Sequence, residues 1–461
     1  MLDRVFLKKS IIIPVLVVAV TAVAGWLNVA RAQQHGFVGM QVQGANDLMA
    51  EALGMSEPEG ALVRDIAVGS PGDKAGFLRG DLILRVNETP VEKFDDLIGA
   101  MLETRPGDQR KFTVLRRGEM KQLTVRFTNW PPARQIQKSA RGRYPAEGLS
   151  LDALTDEVRE EFGIRWGVVG VAVTGADQGQ PAAEAGIEEG DVIVMVNGEN
   201  VWRPEQIDAA FKAARRRGVE QMLMLVENRS GFRYVLMPGG DVAEDEAYAD
   251  GPGPIGLKMQ TIDAAMALAL GLGEPGGSVV TDIILGSGAA RAGFRRGDVI
   301  TTVNGRSVKS VNDVFDVIST EQANSRVETR ILRGDYRKTL KPRTEPAGRA
   351  WFWQEPADGK FMSVGLSLAS LSGEVRRRYG LRWGMTGLAI TDIDASTPTA
   401  DAGLQPGDVI LQINQYPVTT PAEFDAVVKA AISERRKHVL LLVETVSGYS
   451  PRVLPISDKE T

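Results

Sequence analysis

The chain contains no cysteine and only two histidines, His35 and His438. The missing thiols exclude disulfides, thiolate metal sites, c-type haem attachment and cysteine nucleophiles together. They leave the compartment open, because a cysteine-free protein survives in any redox environment. The shortage of histidine bears on catalysis, since a Ser-His-Asp relay needs a base beside an oriented nucleophile. His35 follows directly on an apolar N-terminal stretch, and His438 sits in a strand-forming run. An HExxH zinc site cannot be written with these two residues. Aromatic residues make up only 6% of the chain. Basic excess is also lacking: the net charge is −5, and Asp241, Glu244, Asp245, Glu246 and Asp250 lie together without a basic neighbour. The remainder is near neutral, with no electrostatic footprint for nucleic acid. The glycine-rich piece Gly271–Gly277 lacks the Lys-Ser/Thr of a phosphate loop and reads as a hairpin loop.

What is present begins with length: 461 residues are too many for one ordinary domain and suggest roughly three or four. Arg4, Lys8 and Lys9 precede an uncharged run from Ser10 to Ala30, and Ala30-Arg31-Ala32 offers small residues at the spacing of a signal-peptidase site. Residues 1–32 therefore read as a signal peptide or an N-terminal membrane anchor, with everything downstream exported. Both cleavage and retention in the inner membrane through residues 10–30 are compatible with this segment.

Four copies of one block follow. AGFLRGDLI begins at Ala75, AGIEEGDVI at Ala185, AGFRRGDVI at Ala292 and AGLQPGDVI at Ala402. Gly76, Gly186, Gly293 and Gly403 are spaced 110, 107 and 110 residues apart, and each is followed eleven residues later by Asn87, Asn197, Asn304 or Asn414. Such a repeat defines one supersecondary plan used four times. Ser70-Pro71, Gln180-Pro181, Ser287-Gly288 and Thr397-Pro398 read as helix starts. The Ala-Gly pair ends a single-turn helix, an apolar strand follows, and the asparagine turns the chain. Amphipathic helices are expected near Lys93–Glu103, Pro204–Arg215, Val311–Ser319 and Pro421–Ala431, then a last strand pair such as Lys111–Leu115 with Gln122–Phe127. Each copy is thus α+β, mainly β, with one short and one longer helix. The links 129–145 and 343–362 carry Pro, Arg and aromatics suited to packing on neighbouring domains, whereas 239–253 has the Gly, Pro and acid composition of a flexible solvated linker.

The AG-x-x-x-GD-[VL]-I block with its asparagine resembles the PDZ family, specifically the Do/HtrA-type bacterial branch. A second mark of that family opens each copy: Val38-Gly39-Met40, Glu147-Gly148-Leu149, Ile255-Gly256-Leu257 and Val364-Gly365-Leu366, with Glu147 departing from the apolar pattern. The resemblance implies four partly open β-barrel domains over 36–128, 146–238, 254–342 and 363–456. The copies alternate in type. Copies two and four (type B) share Arg165-Trp166-Gly167 and Arg382-Trp383-Gly384; copies one and three (type A) share AGF-x-RGD and Arg-Gly hairpin tips. The order looks like a duplicated two-PDZ tail of a Do-type protease whose protease domain is missing.

The resemblance also implies binding by strand addition, with protein C-termini or extended segments paired to the edge strand and the loop amides holding a terminal carboxylate. The expected contact residues are Val38, Gly39, Met40, Gly148, Leu149, Ile255, Gly256, Leu257, Val364, Gly365 and Leu366, together with Phe94, Ile98 and Phe315 on the long helices. Leu97, Ile207, Val314 and Phe424 should face the core, and one residue on stand Ile98, Asp208, Phe315 and Asp425. Type A grooves are therefore expected to take apolar C-termini. Type B grooves, with an aspartate in the stripe, would bind weakly or serve contacts between domains. No catalytic centre, metal or cofactor is expected, since Ser287 aligns with the helix caps and no segment remains to build a catalytic domain. The reading is an exported multivalent scaffold or adaptor for envelope proteins, with a regulatory partner of a Do/HtrA-type protease and a hydrolase with a Ser-Lys dyad as the alternatives.

Overall fold

The computed structural model describes residues 35–135, 140–144, 147–216, 221–229, 231–237, 240–241, 255–284, 286–345, 356–446 and 448–456. The expected export segment and most of the acidic linker lie outside the described residues. Gly240–Asp241 forms a two-residue strand against Val235 and Leu236, so these two linker residues are sheet rather than free chain.

Four antiparallel sheets follow one another along the chain, none of them closed into a barrel. In unit one the order is Met40–Gly44, Ala61–Ile66, Leu82–Val86, Gln109–Arg116 and Glu119–Arg126. Units two, three and four repeat it, starting from lead strands Leu149–Ala153, Leu257–Thr261 and Leu366–Ser370. Every lead strand carries an irregularity after its second residue, between Gln41 and Val42, Ser150 and Leu151, Lys258 and Met259, or Ser367 and Leu368.

The repeated asparagines do more than turn the chain. Asn87 adopts φ 52°; its amide donates to the Lys111 carbonyl at 2.6 Å, and its Oδ1 accepts from the Lys111 amide at 2.9 Å. Asn197, Asn304 and Asn414 do the same with Leu223, Glu328 and Leu440. Ser70 and Ser287 cap their short helices by accepting from Asp73 and Ala290, while Gln180 and Thr397 make no such bond. The long helices run Phe94–Leu102, Pro204–Arg216, Val311–Ile318 and Pro421–Ser433. Leu97, Ile207, Val314 and Phe424 point into the cores and are at most 2% exposed.

Each unit holds one helix beyond the expected short and long pair: Asp47–Leu53, Asp156–Phe162, Ala264–Ala269 and Gly373–Tyr379. It joins the lead strand to the next, so Gly271–Gly277 closes a helix-to-strand connection rather than a hairpin. In type A units this helix is also the docking surface for another unit. Met49 and Ala52 of unit one pack with Leu440 and Val453 of unit four. Met266, Ala267 and Ala269 of unit three pack with Leu223, Leu225, Tyr234 and Leu236 of unit two.

Units therefore pair one with four and two with three, through equivalent positions. Arg79 lies over the Tyr449 ring at 4.0 Å, and Arg296 over Phe232 at 3.7 Å. Among the described residues the first seam is the more polar. Gln415 donates to the carbonyls of Gly80 and Leu115 at 2.7 and 3.0 Å and accepts from the Arg117 amide at 2.6 Å. Glu51 meets the Lys437 amide and His438 Nδ1, each at 2.7 Å. Individual bonds of this kind contribute about 1 kcal/mol net, so the buried apolar side chains, at about 1.5–3 kcal/mol each, set the strength of either seam.

The type B units meet each other through their Arg-Trp-Gly loops. Arg159 and Arg376 hold these loops by donating to the carbonyls of Arg165 and Val168, and of Arg382 and Met385. Burial brings both guanidinium groups down to about 10. Arg165 then bonds Glu227 at 2.5 Å and stands 3.9 Å from Glu444 of unit four, which Arg382 binds at 2.7 Å.

Candidate functional site

The loop before each lead strand is built on a glycine. At Gly39 φ is +75°, and a Cβ there would collide with the buried Ser70. The Val38 and Gly39 carbonyls turn inward to accept from the Gly72 and Ala67 amides, each at 2.9 Å. The amides of Val38 and Gly39 find no acceptor among the described residues. The chain entering this loop is drawn off to the far side: the Gly36 amide donates to Thr104 at 3.0 Å, and Phe37 pairs with Thr128. The lead strand Met40–Gly44 is thereby left at the edge of its sheet, half-exposed along its whole length.

The facing helix supplies the second wall in unit one. Phe94 is 36% exposed, Ile98 and Met101 are half-buried, and Leu97 on the opposite side is buried. The spacing i, i+4, i+7 places the three on one stripe. Val38, Met40, Val42 and Met101 are partly buried against the core of unit one. The result is an apolar cleft between an edge strand and a helix, with bare amides at one end.

Units two and four have the same loop and a filled cleft. Gly142–Tyr144 pairs antiparallel with the lead strand of unit two, Tyr144 opposite Leu149. Asp358–Phe361 pairs with that of unit four, Phe361 opposite Leu366. These straps come from the two links expected to pack on neighbouring domains, and each does so by covering the unit that follows it. The Tyr144 carbonyl accepts from the Glu147 amide at 3.2 Å, and the Phe361 carbonyl from the Val364 amide at 3.3 Å. The Tyr144 ring lies 5.7 Å from Phe211, and Phe361 lies 5.0 Å from Phe424. Gly148, Leu149, Val364, Gly365 and Leu366 are thus separated from the loop of unit one: their edges already hold a strand of this chain. Asp208 and Asp425 turn outward to Lys212 and Lys429, each at 2.6 Å.

Unit three is the fourth case. Ile255, Leu257, Lys258, Met259 and Gln260 are buried, and Phe315 packs partly buried against the same core. The residues entering its loop, 242–254, lie outside the described residues. Among the described residues no cluster of His, Asp and Glu side chains converges to hold a metal. Ser287 is fully buried, its Oγ accepting from the Ala290 amide at 3.2 Å.

One family model for the PDZ domain matches residues 36–127, and a second matches 172–223, 279–333 and 390–444. The chain belongs to the PDZ-domain family. PDZ matches fall in all four units and together cover more than half of the sequence. Among curated proteins, the chain is 30% identical over 211 residues to a probable periplasmic serine endoprotease DegP-like of Rhizobium meliloti (strain 1021), covering 44% of this chain and 41% of that one. A protein of the same description from Chlamydia trachomatis serovar D is 30% identical over 202 residues, covering 43% of this chain and 39% of that one. The chain spans about two fifths of the length of these relatives. Among solved structures, the HtrA3 PDZ domain bound to a phage-derived ligand is 26% identical, covers 20% of this chain and 83% of its own, and has a TM-score of 0.18. HtrA-type protease AlgWS227A with decapeptide is 28% identical, covers 22% and 31%, and has a TM-score of 0.21.

The strap of PDZ unit two carries a spectroscopic label of its own. Burial, with Asp208, Glu205 and Glu147 nearby, pushes the Tyr144 phenol up to about 12, and its Oη donates to the Pro204 carbonyl at 2.7 Å. The folded form therefore keeps a proton that an unfolded tyrosine releases near about 10. The stabilising effect is complete below about 10 and is lost as pH rises through about 12. The ultraviolet difference between wild type and Tyr144→Phe should show one phenolate appearing near 12. A midpoint near about 10 would mean the strap is solvated.

Proposed function

We propose that the protein is an exported, non-catalytic scaffold or adaptor that captures C-termini or extended segments of envelope proteins by strand addition, with unit one as its open site. The observation that carries this reading is the edge strand Met40–Gly44 lying beside the unpartnered amides of Val38 and Gly39. A terminal carboxylate fits such a pair of donors, and an extended peptide satisfies the edge. The straps of units two and four support it from within the molecule, because a peptide strand occupies the same cleft there with a carbonyl on the loop amide. Apolar Phe94, Ile98 and Met101 suit an apolar last residue.

Non-catalytic action is part of the proposal. It is supported by the buried capping role of Ser287 and by the engagement of His438 with Glu51 across the seam between units one and four. The naming of the relatives as periplasmic supports export; no helix among the described residues is long and apolar enough to cross a membrane. A regulatory pairing of the type B units with a protease gains no support, because their sheets already pack on units one and three.

The test is a screen of the protein against C-terminal peptides by fluorescence anisotropy. Free-acid peptides with an apolar last residue should bind, and amidation should weaken them at least about tenfold, or 1.4 kcal/mol. Ile98→Asp, which copies the type B residue into the stripe, should weaken them by a similar factor. Equal binding of acid and amide forms, unaffected by Ile98→Asp, would refute the site.

A further inference from the structure

We infer that the clefts of units two and four are peptide sites in their own right, closed by displaceable straps, and that they select glycine two residues before an aromatic. The two straps, Gly142-Arg143-Tyr144 and Gly359-Lys360-Phe361, each end four residues before the loop glycine. A strand that merely covered an edge would need only good strand formers, and glycine is a poor one. Yet each strap places glycine where a Cβ would press first on the strap's own ring, 2.8 Å from Tyr144 Cε2 or 2.9 Å from Phe361 Cζ, and then on the first residue of the long helix, 2.9 Å from Pro204 Cβ or 3.1 Å from Pro421 Cβ. The aromatic two residues on fills the apolar end of the cleft against Phe211 or Phe424. The intervening Arg143 and Lys360 are exposed and pair in register with Ser150 and Ser367. Recognition therefore falls on the absent side chain and on the ring, and the basic residue faces water.

Displacement follows from what a strap cannot supply. Apart from the ring, the strap residues keep some exposure and are held along one edge by a short backbone pairing, the kind of segment that opens first. At the loop a strap offers only a neutral carbonyl, to Glu147 or Val364. A peptide ending at the aromatic brings a full carboxylate to the same amide, and a charged acceptor makes the stronger bond. This advantage is set against the high effective concentration of the tethered strap, so entry by a free peptide requires a closely matched sequence. The inference goes beyond the site in unit one and is read on different residues.

The probe is the free-acid pentapeptide Ala-Asp-Gly-Lys-Phe, a copy of residues 357–361, added to the whole protein and followed by amide hydrogen exchange. Exchange in Asp358–Phe361 should accelerate saturably by about tenfold while Leu366–Ser370 stays protected, because the probe replaces the strap. The same peptide with valine in place of glycine should leave the strap protected. Phe361→Ala should lower the probe concentration for half-saturation by about tenfold. An unchanged strap at the highest probe concentration, or equal action of the valine peptide, would overturn the inference. If Phe361→Ala unfolds unit four, the exchange of the wild type decides alone. Failure of the unit-one site would show only as missing protection at Met40–Gly44, so the two readings fail separately.

Discussion

Replacing Glu444 by alanine is expected to destabilise unit four by about 3–5 kcal/mol, because it leaves the half-buried Arg382 guanidinium without its carboxylate partner, while Arg165 keeps Glu227. Glu444 is 3% exposed and takes Arg382 at 2.7 Å, with Arg165 of unit two at 3.9 Å. Arg382 also donates to the Tyr449 hydroxyl at 3.0 Å, and the Tyr449 carbonyl accepts from Arg64 of unit one. One carboxylate thus anchors a cluster drawn from three units. Burial alone would raise its pKa, but Arg382, Arg165 and Arg79 together hold it below the usual range. The unfolded chain therefore binds the proton first as pH falls. This contribution is complete above the ordinary glutamate value, near about 4.3, and is lost as pH drops through the depressed folded-state value. Exchange-resolved urea titration measures the effect in unit four separately, which matters for a chain whose units need not unfold together. Removing both partners with apolar residues, as in Arg382→Met with Glu444→Leu, should recover most of the loss. A cost for Glu444→Ala below about 1 kcal/mol would mean that the pair behaves as a solvated surface contact.

Phe424→Ala should have an effect of the same size by a different route, about 3–5 kcal/mol for emptying an aromatic site in a core. Phe424 is fully buried among Leu366, Leu441 and Val443, and its ring is also the floor on which Phe361 of the strap rests. The cavity should therefore be felt in two places. Protection should fall across His438–Thr445, and Asp358–Phe361 should exchange as freely as an unstructured segment. Units one and three should be changed less. Loss confined to the strap, with the sheet of unit four intact, would contradict the placement of this ring at the centre of the core.

The repeat block was readable because each of its residues has a fixed backbone task. Ser70 caps its own helix, while Asn87 and Gly39 adopt positive φ and bond to Lys111 and Ala67 within the same unit, so residue type and spacing carry the information. The long helices were readable from Leu97, Ile207, Val314 and Phe424, whose burial follows the helical period. The helices Asp47–Leu53 and Ala264–Ala269 were not, because six or seven residues give too few turns to show a period, and their apolar faces are completed only by Leu440 or Leu223 from another unit. The straps were half-visible. Ala140-Arg141-Gly142-Arg143-Tyr144 and Ala357-Asp358-Gly359-Lys360-Phe361 align at the same distance before the loop glycines, a match that appears only when the two links are compared with each other. Nothing in either strap alone names the cleft that holds it, since that depends on Phe211 and Phe424 some sixty residues further along the chain.

The two seams differ at matching places: Met195 and Phe232 stand in one where Gln412 and Tyr449 stand in the other. A dimer of identical halves could not draw this distinction, because each substitution would be imposed on both sides at once. Threading a two-fold plan through a single polypeptide frees each half to vary independently. One part of such a framework can specialise in holding the molecule together while the corresponding part stays exposed to visitors.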